Sequence, residues 1–347
     1  MDENSSCSTL SKKLLTHTHT TEKYMPVNSE IKQYEMCPVC YSSIKTWKVK
    51  NMGNEKYNLD LCESCGYAFV NPRPSFSFLK NYYLSLGHDH GPSEKEAPNL
   101  ESVLVQEHNE PNSIIDASRL IKTIKSLTGN NSNNLFLDVG CGYGFFSKAA
   151  LGAGFEVIAL ELAENERRIT KKMTGLNPSA CSFEEFECAS STFQVILMSQ
   201  ILEHALDVKF WIKKAYELLV NDGIIAIALP NYGSIFRLIM QENDPYICPP
   251  AHLNYFNLNS LSKLLEKNGF KVEAAQWVSR IPKNTFEKRL PNFCNPLVPI
   301  ISVVSSASLK VIDALHLSMM INVYGRKISG LQSVLPHGNS TPHHCGQ

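Results

Sequence analysis

The glycine-rich stretch at positions 138–144 constrains the fold of this chain more than any other feature of the sequence. It reads DVGCGYG, follows an apolar run at 135–137 and precedes the helical apolar spacing of residues 145–154. Strand, glycine turn and helix in this order let the backbone approach a ligand closely, with helix-opening N–H groups turned towards an electron-rich partner. Taken alone, the Gly-x-Gly pattern also fits an ordinary tight turn.

An acidic residue after the next predicted strand makes the interpretation as a ligand-binding turn more specific. The next apolar run, residues 157–160, ends at Glu161, seventeen residues after Gly144. An acid at the tip of the second strand is placed to bind both hydroxyls of a ribose. The Gly-x-Gly-x-x-Gly fingerprint of dinucleotide enzymes does not fit, because it would need glycine at Phe145 or at Ser147.

The sequence of this turn, DVGCGYG, together with an acid at the end of the next strand, resembles the corresponding motif of the class I S-adenosylmethionine (SAM)-dependent methyltransferases. The resemblance implies that the turn lines the methionine part of SAM and that the acid binds the ribose. The cofactor-binding residues predicted on this basis are Asp138, Gly140, Gly142, Gly144, Glu161, Phe183 and Gln200. The sequence departs from the family at 193–194, where Phe-Gln replaces Phe-Asp, so a SAM-binding protein without catalysis is an alternative.

Two C-x-x-C motifs near the start of the chain predict a zinc ribbon. Their cysteines are Cys37, Cys40, Cys62 and Cys65, with twenty-one residues between the pairs. Two such turns complete a tetrahedral site of four thiolates without an open position, so the predicted Zn²⁺ is structural. Residues 47–49 and 57–59 alternate like the arms of a hairpin. A pair of redox-active dithiols is the alternative.

The segment after the second motif sharpens the resemblance. Residues 69–74 read FVNPRP and a tyrosine pair follows at 82–83. This order resembles a bacterial group of methyltransferases with an N-terminal zinc ribbon, over roughly residues 34–280. Members of that group often act on nucleotide-linked or surface-polysaccharide sugars, and some act on other small metabolites. The resemblance therefore implies a sugar acceptor.

Alternating strands and helices predict a doubly wound, Rossmann-like α/β sheet with a small N-terminal ribbon and a helical C-terminal extension. Further strands are predicted at 193–198, 224–229 and 271–274, with a poor third strand near 179–183. The predicted divisions are a disordered tail at 1–33, a ribbon at 34–80, a linker or flap at 81–112, a SAM-binding domain at 113–280, and a helical extension at 281–347 with a last strand near 331–335 and a loose end.

Three residues beyond the strand ends are the predicted catalytic residues. His204 follows the strand at 193–198 in the sequence LEH, and His252 and Tyr255 lie in PPAHLNYF at 249–256. A histidine titrates near neutrality and can serve as a general base. The alternative is that these residues only shape the helix start and the loop. Some quinone-pathway methyltransferases carry E-x-x-E-H here and hold a divalent cation, but Gln200 removes one carboxylate, so no catalytic metal is expected.

Composition and charge restrict the partners. The chain has 33 basic residues (Lys and Arg) and 33 acidic residues (Asp and Glu), so it carries no net charge. No nucleic-acid partner is therefore expected. Residues 1–33 lack an apolar signal and the cysteines outside the two motifs are scattered, which predicts a cytoplasmic protein. The apolar residues 297–323 predict a helical hairpin over the acceptor cleft, too short to span a bilayer; a membrane-surface contact or a dimer face are alternatives.

The sequence thus predicts methyl transfer from SAM to a small molecule, with a nucleotide-linked or surface-polysaccharide sugar as the first choice. A quinone or lipid precursor is the alternative acceptor, favoured by the LEH motif. A third hypothesis makes the ribbon a nucleic-acid-binding or RNA-modifying module, and its mild basic charge argues against this.

Overall fold

The computed structural model describes residues 32–86, 98–129, 133–279 and 307–329. Its strands are β1 Lys45–Met52, β2 Glu55–Leu61, β3 Ala68–Val70, β4 Leu135–Val139, β5 Glu156–Leu160, β6 Phe193–Ser199, β7 Leu219–Pro230, β8 Asn254–Tyr255, β9 Phe270–Val278 and β10 Met320–Lys327. Its helices with defined bounds are α1 Phe76–Leu86, α2 Leu100–Asn109, α3 Ser113–Thr128, α4 Phe145–Gly152, α5 Glu164–Thr174, α6 Val208–Leu218, α7 Ile235–Met240 and α8 Leu258–Lys267.

The larger sheet has six strands in the order β5-β4-β6-β7-β10-β9. The first four are parallel, and β6 and the end of β7 are apolar and buried over almost their whole length. Continuous apolar runs of this kind belong to parallel strands covered on both faces. The predicted doubly wound α/β fold is confirmed, and its parallel strands end at one common edge.

Helices cover both faces of this sheet. Helices α3 and α4 pack on one face, where Ile124 and Ala150 join a buried cluster with Phe136. Helices α6 and α8 pack on the other face through residues such as Ile212 and Leu261. Among the helices in the described parts of the chain, none has the length and hydropathy needed to cross a membrane.

The end of the chain corrects one prediction. Residues 320–323, predicted as part of a helical hairpin, lie in β10, which pairs antiparallel with both β7 and β9. Ile321 and Val323 alternate along β10 and are fully buried in one cluster, while Tyr324 is buried in the cluster on the other face. This period of two suits a central strand and not a helix. Residues 307–314 are helical, whereas 280–306 and the strand predicted near 331–335 lie outside the described residues.

The predicted third strand is reduced to one bridge. Ser179 pairs with Leu160, and the chain then leaves the sheet. Ser182 accepts a hydrogen bond from the N–H of Glu185 with its side chain, and its carbonyl accepts from the N–H of Phe186. A serine that bonds nearby backbone favours a turn over an extended ladder, which explains why the strand stops.

The smaller sheet joins the ribbon to the rest of the chain. It has the order β1-β2-β3-β8, and its first two strands form the hairpin that the sequence predicts. Strand β8 comes from the loop between β7 and α8, nearly 200 residues after the ribbon cysteines. This pairing continues the ribbon sheet into the main part of the molecule.

The segment 81–112, predicted as a linker or flap, contains helix in two described parts. Helix α1 extends to Leu86, and residues 100–109 form α2. The α2 helix starts at a capping box, in which Asn99 accepts from the N–H of Ser102 and Ser102 accepts from the N–H of Asn99. This cap gives the helix a defined start despite its weak apolar periodicity. Residues 87–97 lie outside the described parts.

Candidate functional site

A cleft of about 740 Å³ lies at the carboxyl ends of the parallel strands. Residues 139–143, 145–146 and 160–163 line one side of it, and we call this side the cofactor half. Residues 76–80, 204–206 and 245–252 contribute to the opposite side, which we call the acceptor half. The volume lies in the range of small-molecule sites, and its place at the strand ends is where doubly wound sheets bind ligands.

The glycine turn approaches the cleft with backbone alone. Gly140 and Gly142 line the cleft and have φ values of 68° and 52°, a region that L side chains rarely adopt. A Cβ atom at Gly140 would lie 2.6 Å from the Cδ1 atom of Ile201. A larger residue at 140 would therefore disturb both the turn and the neighbouring cleft wall.

Glu161 is held in place at the cofactor half. Its carboxylate accepts hydrogen bonds from the N–H groups of Gly142 and Ala163, each at 2.9 Å. Each carboxylate oxygen can accept more than one hydrogen bond, so these contacts do not prevent it from binding hydroxyls. A ribose-binding acid and the glycine turn are thus joined directly, which fits the nucleoside end of SAM.

Aromatic side chains from a later part of the chain also line the cleft. Phe183 lines the cleft, is 2% exposed and lies 5.2 Å from the ring of Trp211. The indole N–H of Trp211 donates to the Glu184 carboxylate at 2.7 Å, and burial raises the pKa of that carboxyl. Gln200 also lines the cleft, at the end of β6. Phe183 therefore lies where a purine ring would find an apolar surface.

Two histidines lie together in the acceptor half. The rings of His204 and His252 both line the cleft and their centroids are 4.9 Å apart. The Nδ1 atom of His204 is 2.7 Å from the carbonyl oxygen of Ala251, and the Nδ1 atom of His252 is 2.8 Å from that of Tyr246. Because a carbonyl can only accept, each Nδ1 carries a proton, and in the neutral form of each ring the lone pair lies on Nε2. Both rings can therefore accept a proton from a ligand.

Glu203 lies behind these histidines. It is 2% exposed, and neither carboxylate oxygen has a hydrogen-bond partner among the described residues. Burial raises the pKa of Glu203 to about 8, so the carboxyl is largely protonated at neutral pH. A carboxylate oxygen of Glu203 and one ring nitrogen each of His204 and His252 lie within 4.8 Å of one another.

These three side chains could hold a metal ion. The sequence argument against a catalytic metal was that Gln200 removes a carboxylate. The structure weakens that argument, because His252 from a distant loop supplies a third ligand atom. Two imidazoles and a carboxylate form a ligand set that divalent transition metals accept.

Tyr255 does not line the large cleft. Its hydroxyl donates to the carbonyl oxygen of His252 at 2.8 Å. It lines a separate cavity of about 20 Å³, together with Glu203 and Tyr232. The predicted catalytic role of Tyr255 stays a prediction, and its position favours support of the histidine loop.

With this geometry, the similarity to known proteins becomes decisive. Residues 112–275 match a family model described as a methyltransferase domain. A ubiquinone biosynthesis O-methyltransferase of Pelagibacter ubique (strain HTCC1062) is 30% identical over 165 residues, which cover 42% of this chain and 69% of that protein. The chain belongs to the class I SAM-dependent methyltransferases.

Other similarities are more partial. The mitochondrial ubiquinone biosynthesis O-methyltransferase of Bos taurus is 24% identical over 152 residues, which cover 40% of this chain and 41% of that protein. The chain thus spans less than half the length of this relative. Among solved structures, phosphoethanolamine N-methyltransferase 2 of Haemonchus contortus in complex with SAM is 14% identical, with a TM-score of 0.46, covering 81% of this chain and 71% of that chain.

Two of the predicted cofactor residues of this methyltransferase do not line the cleft. Asp138 is 1% exposed and accepts a hydrogen bond from Ser147 Oγ at 2.6 Å, and burial raises its pKa to about 6. A Cβ atom at Gly144 would lie 2.8 Å from Thr170 Cγ2. Direct contact of Asp138 and Gly144 with SAM stays a prediction. Their surroundings favour an indirect role, in which they fix the turn against α4 and α5.

The four ribbon cysteines of the methyltransferase converge. The Sγ atoms of Cys37 and Cys65 are 3.6 Å apart, those of Cys40 and Cys62 are 3.4 Å apart, and all four sulfurs lie within 4.8 Å of one another. A tetrahedral zinc with Zn–S bonds of about 2.3 Å requires sulfurs about 3.8 Å apart. The cluster is compatible with a structural zinc ion, and it joins thiols from both motifs, which a pair of separate dithiols would not do.

Sequence reasoning missed part of the acceptor half. Phe76, Leu79 and Lys80 line the cleft from α1, directly after the ribbon, and Tyr246 and Cys248 line it from the irregular loop. The first three have the i, i+3, i+4 spacing of one helix face, and this signal was available in the sequence. No local pattern marks Tyr246 or Cys248, because their place depends on how the loop folds.

Proposed function

We propose that this methyltransferase transfers a methyl group from SAM to a hydroxyl group of a small, uncharged aromatic acceptor. The observation that carries the proposal is the pair of cleft-lining histidines whose Nδ1 atoms face backbone carbonyls. A hydroxyl must lose its proton as it takes up the methyl group, and an imidazole in its neutral form is suited to accept that proton.

When bound, SAM supplies an electrophilic methyl carbon on a sulfonium, so the protein has to align the acceptor and to exclude water. In the transfer, the bond from sulfur to methyl breaks, a bond from the acceptor oxygen to methyl forms, and the hydroxyl proton goes to an imidazole. Glu161 and the glycine turn bind and orient the nucleoside and methionine ends. His204 and His252 hold the acceptor hydroxyl and take its proton.

The lining of the acceptor half supports an apolar acceptor. Most of the lining of the acceptor half is apolar or aromatic, and it is formed by Phe76, Leu79, Leu206, Pro245 and Tyr246. Among the described residues that line the cleft, Lys80 is the one lysine or arginine, and its ammonium is 2.5 Å from the Glu185 carboxylate. A nucleoside diphosphate would call for several cations or exposed N–H groups around its phosphates, so a neutral ring suits this wall better.

The names of the relatives point the same way. The Pelagibacter and bovine proteins are both named ubiquinone biosynthesis O-methyltransferases. The identities are low, and we carry over only the class of reaction, O-methylation. The quinone-precursor alternative from the sequence is therefore preferred to the sugar.

A nucleotide-linked sugar is the second candidate. The order of the two cysteine motifs, FVNPRP and the tyrosine pair favours it, since this order resembles a group that often methylates such sugars. A sugar hydroxyl is less acidic than a phenol and would depend more strongly on the histidine pair.

An acceptor screen with tritium-labelled SAM would test the proposal. Catechols, simple phenols and nucleotide-sugars are compared at equal concentration, with the purified full chain loaded with zinc. We expect transfer to catechols or phenols, and a loss of about 100-fold or more in kcat for His252→Gln at saturating SAM.

The control for this screen is His108→Gln, which alters an exposed histidine on α2. We expect it to retain full activity. Transfer to nucleotide-sugars alone would replace the proposed acceptor class by the second candidate. Undiminished kcat in both His204→Gln and His252→Gln would refute the role of the histidines.

A further inference from the structure

The ribbon is built into the wall that carries His252. Strand β3 of the ribbon pairs with β8, with Ala68 opposite Tyr255 and Phe69 opposite Asn254. The N–H of Val70 also donates to the carbonyl oxygen of Leu253 at 3.0 Å. The segment that follows His252 is therefore an added strand of the ribbon sheet.

Asn254 connects the ribbon to the turn that carries Glu203 and His204. Its side-chain N–H₂ lies 2.7 Å from the carbonyl oxygen of Ala205 and 3.2 Å from those of Leu202 and Glu203. Its side-chain oxygen accepts from the Tyr67 hydroxyl and from the Arg73 guanidinium. Asn254 is 2% exposed, so one buried amide contacts both the ribbon and the turn.

Arg73 completes the connection. It is 1% exposed, and its guanidinium donates to Leu253 O at 2.7 Å and to Asn254 Oδ1 at 2.6 Å. The N–H of Leu253 in turn donates to Glu203 O at 2.8 Å. The planar fork of an arginine can hold two acceptors at fixed positions, which a flexible lysine cannot do as well.

We infer that Arg73 and Asn254 are positioning residues that make the ribbon a structural part of the acceptor half. They hold the 202–205 turn and the loop at 252–254 in one arrangement, so that His204 and His252 face the same point of the cleft. The cofactor half has no comparable bond to the ribbon among the described residues. The chemical consequence rests on the proposed function, whereas the structural connection can be measured without an acceptor.

Asn254→Asp tests the connection with the full chain loaded with zinc. The aspartate keeps an acceptor for Arg73 and Tyr67, but it replaces the N–H₂ donor by an oxygen that faces three carbonyls. We expect amide hydrogen exchange in residues 200–206 and 250–256 to be at least about tenfold faster than in the wild type, because opening of this region becomes easier. Bound zinc and the Kd for SAM are expected to change by less than about threefold.

Arg73→Lys is a second variant, which approaches the connection from the ribbon side. It keeps the charge and loses the fork, and we expect faster exchange in the same two segments. It also keeps the inference testable if Asn254→Asp does not fold. With an acceptor in hand, both variants should lower kcat while the KM for SAM stays within about threefold, a split that general destabilisation would not produce.

The matched control is Asn71→Ser, which removes another buried amide of the ribbon. The side-chain amide of Asn71 bonds Tyr34 and Asp60, and these hydrogen bonds lie within the ribbon and not at the 202–205 turn. We expect it to leave exchange in residues 200–206 within about twofold of the wild type. Unchanged exchange there in both Asn254→Asp and Arg73→Lys would overturn the inference. A failure of the acceptor screen would refute the proposed function alone.

Discussion

The cofactor half of the cleft comes from one short piece of chain, whereas the acceptor half is assembled from three distant pieces. Residues 138–163 supply the glycine turn, α4, β5 and Glu161. The acceptor half combines α1, the turn at 202–205 and the loop before β8, and the ribbon holds the last two together. The contact between Arg73 and Asn254 joins residues 181 positions apart.

This difference separates a part that a local motif encodes from a part that depends on tertiary structure. The ends of β4 and β5 place Glu161 and the glycines beside each other, and both come from one short piece of chain. The histidine pair joins the turn to the loop, and the ribbon bonds to both of these segments. Damage to the ribbon should therefore affect the acceptor half and spare the cofactor half.

The largest expected effect is that of Cys62→Ser, which removes one of the four thiolates. Structural zinc in small domains contributes about 10–16 kcal/mol of folding free energy, so the ribbon should lose both its zinc and its order. Elemental analysis and hydrogen exchange of residues 45–61 would measure this. We expect residues 250–256 to exchange faster as well, while SAM still binds. Cys188→Ser, at a half-buried cysteine outside the ribbon, is the control.

A substitution at Glu161 should weaken SAM binding by the cofactor half and leave the ribbon intact. Hydrogen bonds to a charged group contribute about 1.5–3 kcal/mol, so Glu161→Ala should weaken SAM binding about 100-fold. Calorimetric titration measures this loss, and the zinc content should not change. Glu164→Ala, an exposed acid at the start of α5, should leave the Kd within about twofold. Equal affinities for SAM in both variants would contradict the assignment of Glu161.

Ser147→Ala tests how the glycine turn is anchored. Because burial raises the pKa of Asp138 to about 6, the stability that its protonated form provides is complete at low pH and is lost as the pH rises through about 6. Ser147 stabilises the ionised form, so its loss should cost about 2 kcal/mol near pH 7.5 and clearly less near pH 5. Urea unfolding at both pH values measures the difference. An equal loss of stability at pH 5 and pH 7.5 would contradict the role of Ser147 in stabilising the ionised Asp138.

The smallest expected effect concerns the ion pair between α1 and the segment after the third-strand bridge. The ammonium of Lys80 and the carboxylate of Glu185 are 2.5 Å apart, and both side chains are more than a third exposed. Exposed ion pairs contribute about 0–1 kcal/mol, so Glu185→Gln should barely change the free energy of unfolding. The change should be smaller still at high salt, because salt screens the pair. Urea unfolding at two salt concentrations would show this. A loss above about 2 kcal/mol would mean that this contact is part of the acceptor wall.

The sequence predicts the local structure of the cofactor half, although two of the predicted cofactor residues, Asp138 and Gly144, do not line the cleft. Glu161, the glycine turn and the start of α4 follow from one motif and from the periodicity on either side of it. Asp207 caps α6 and Asn257 caps α8 through side-chain hydrogen bonds, and such caps depend on local sequence. The central position of β10 could not be predicted in the same way, since an apolar segment fits a helix or a buried strand equally well.

The acceptor half could be predicted only in part. His204 and His252 stood out as residue types near strand ends, but no spacing in the sequence shows that their rings are 4.9 Å apart. Arg73 is part of the FVNPRP motif at 69–74, but the sequence does not show what it contacts. Its partner Asn254 has no distinguishing pattern around it. Contacts between residues so far apart in the chain follow from how β3 meets β8.

Titration of SAM into the zinc-loaded wild type and into Cys62→Ser tests most directly whether the two halves are independent. Heat of binding gives the Kd for each protein in one experiment. We predict saturable binding of SAM to both chains, with Kd values within about threefold of each other. Binding by the wild type together with its loss in folded Cys62→Ser would contradict the separation of the halves, and no binding by either would contradict the assignment of the cofactor half itself.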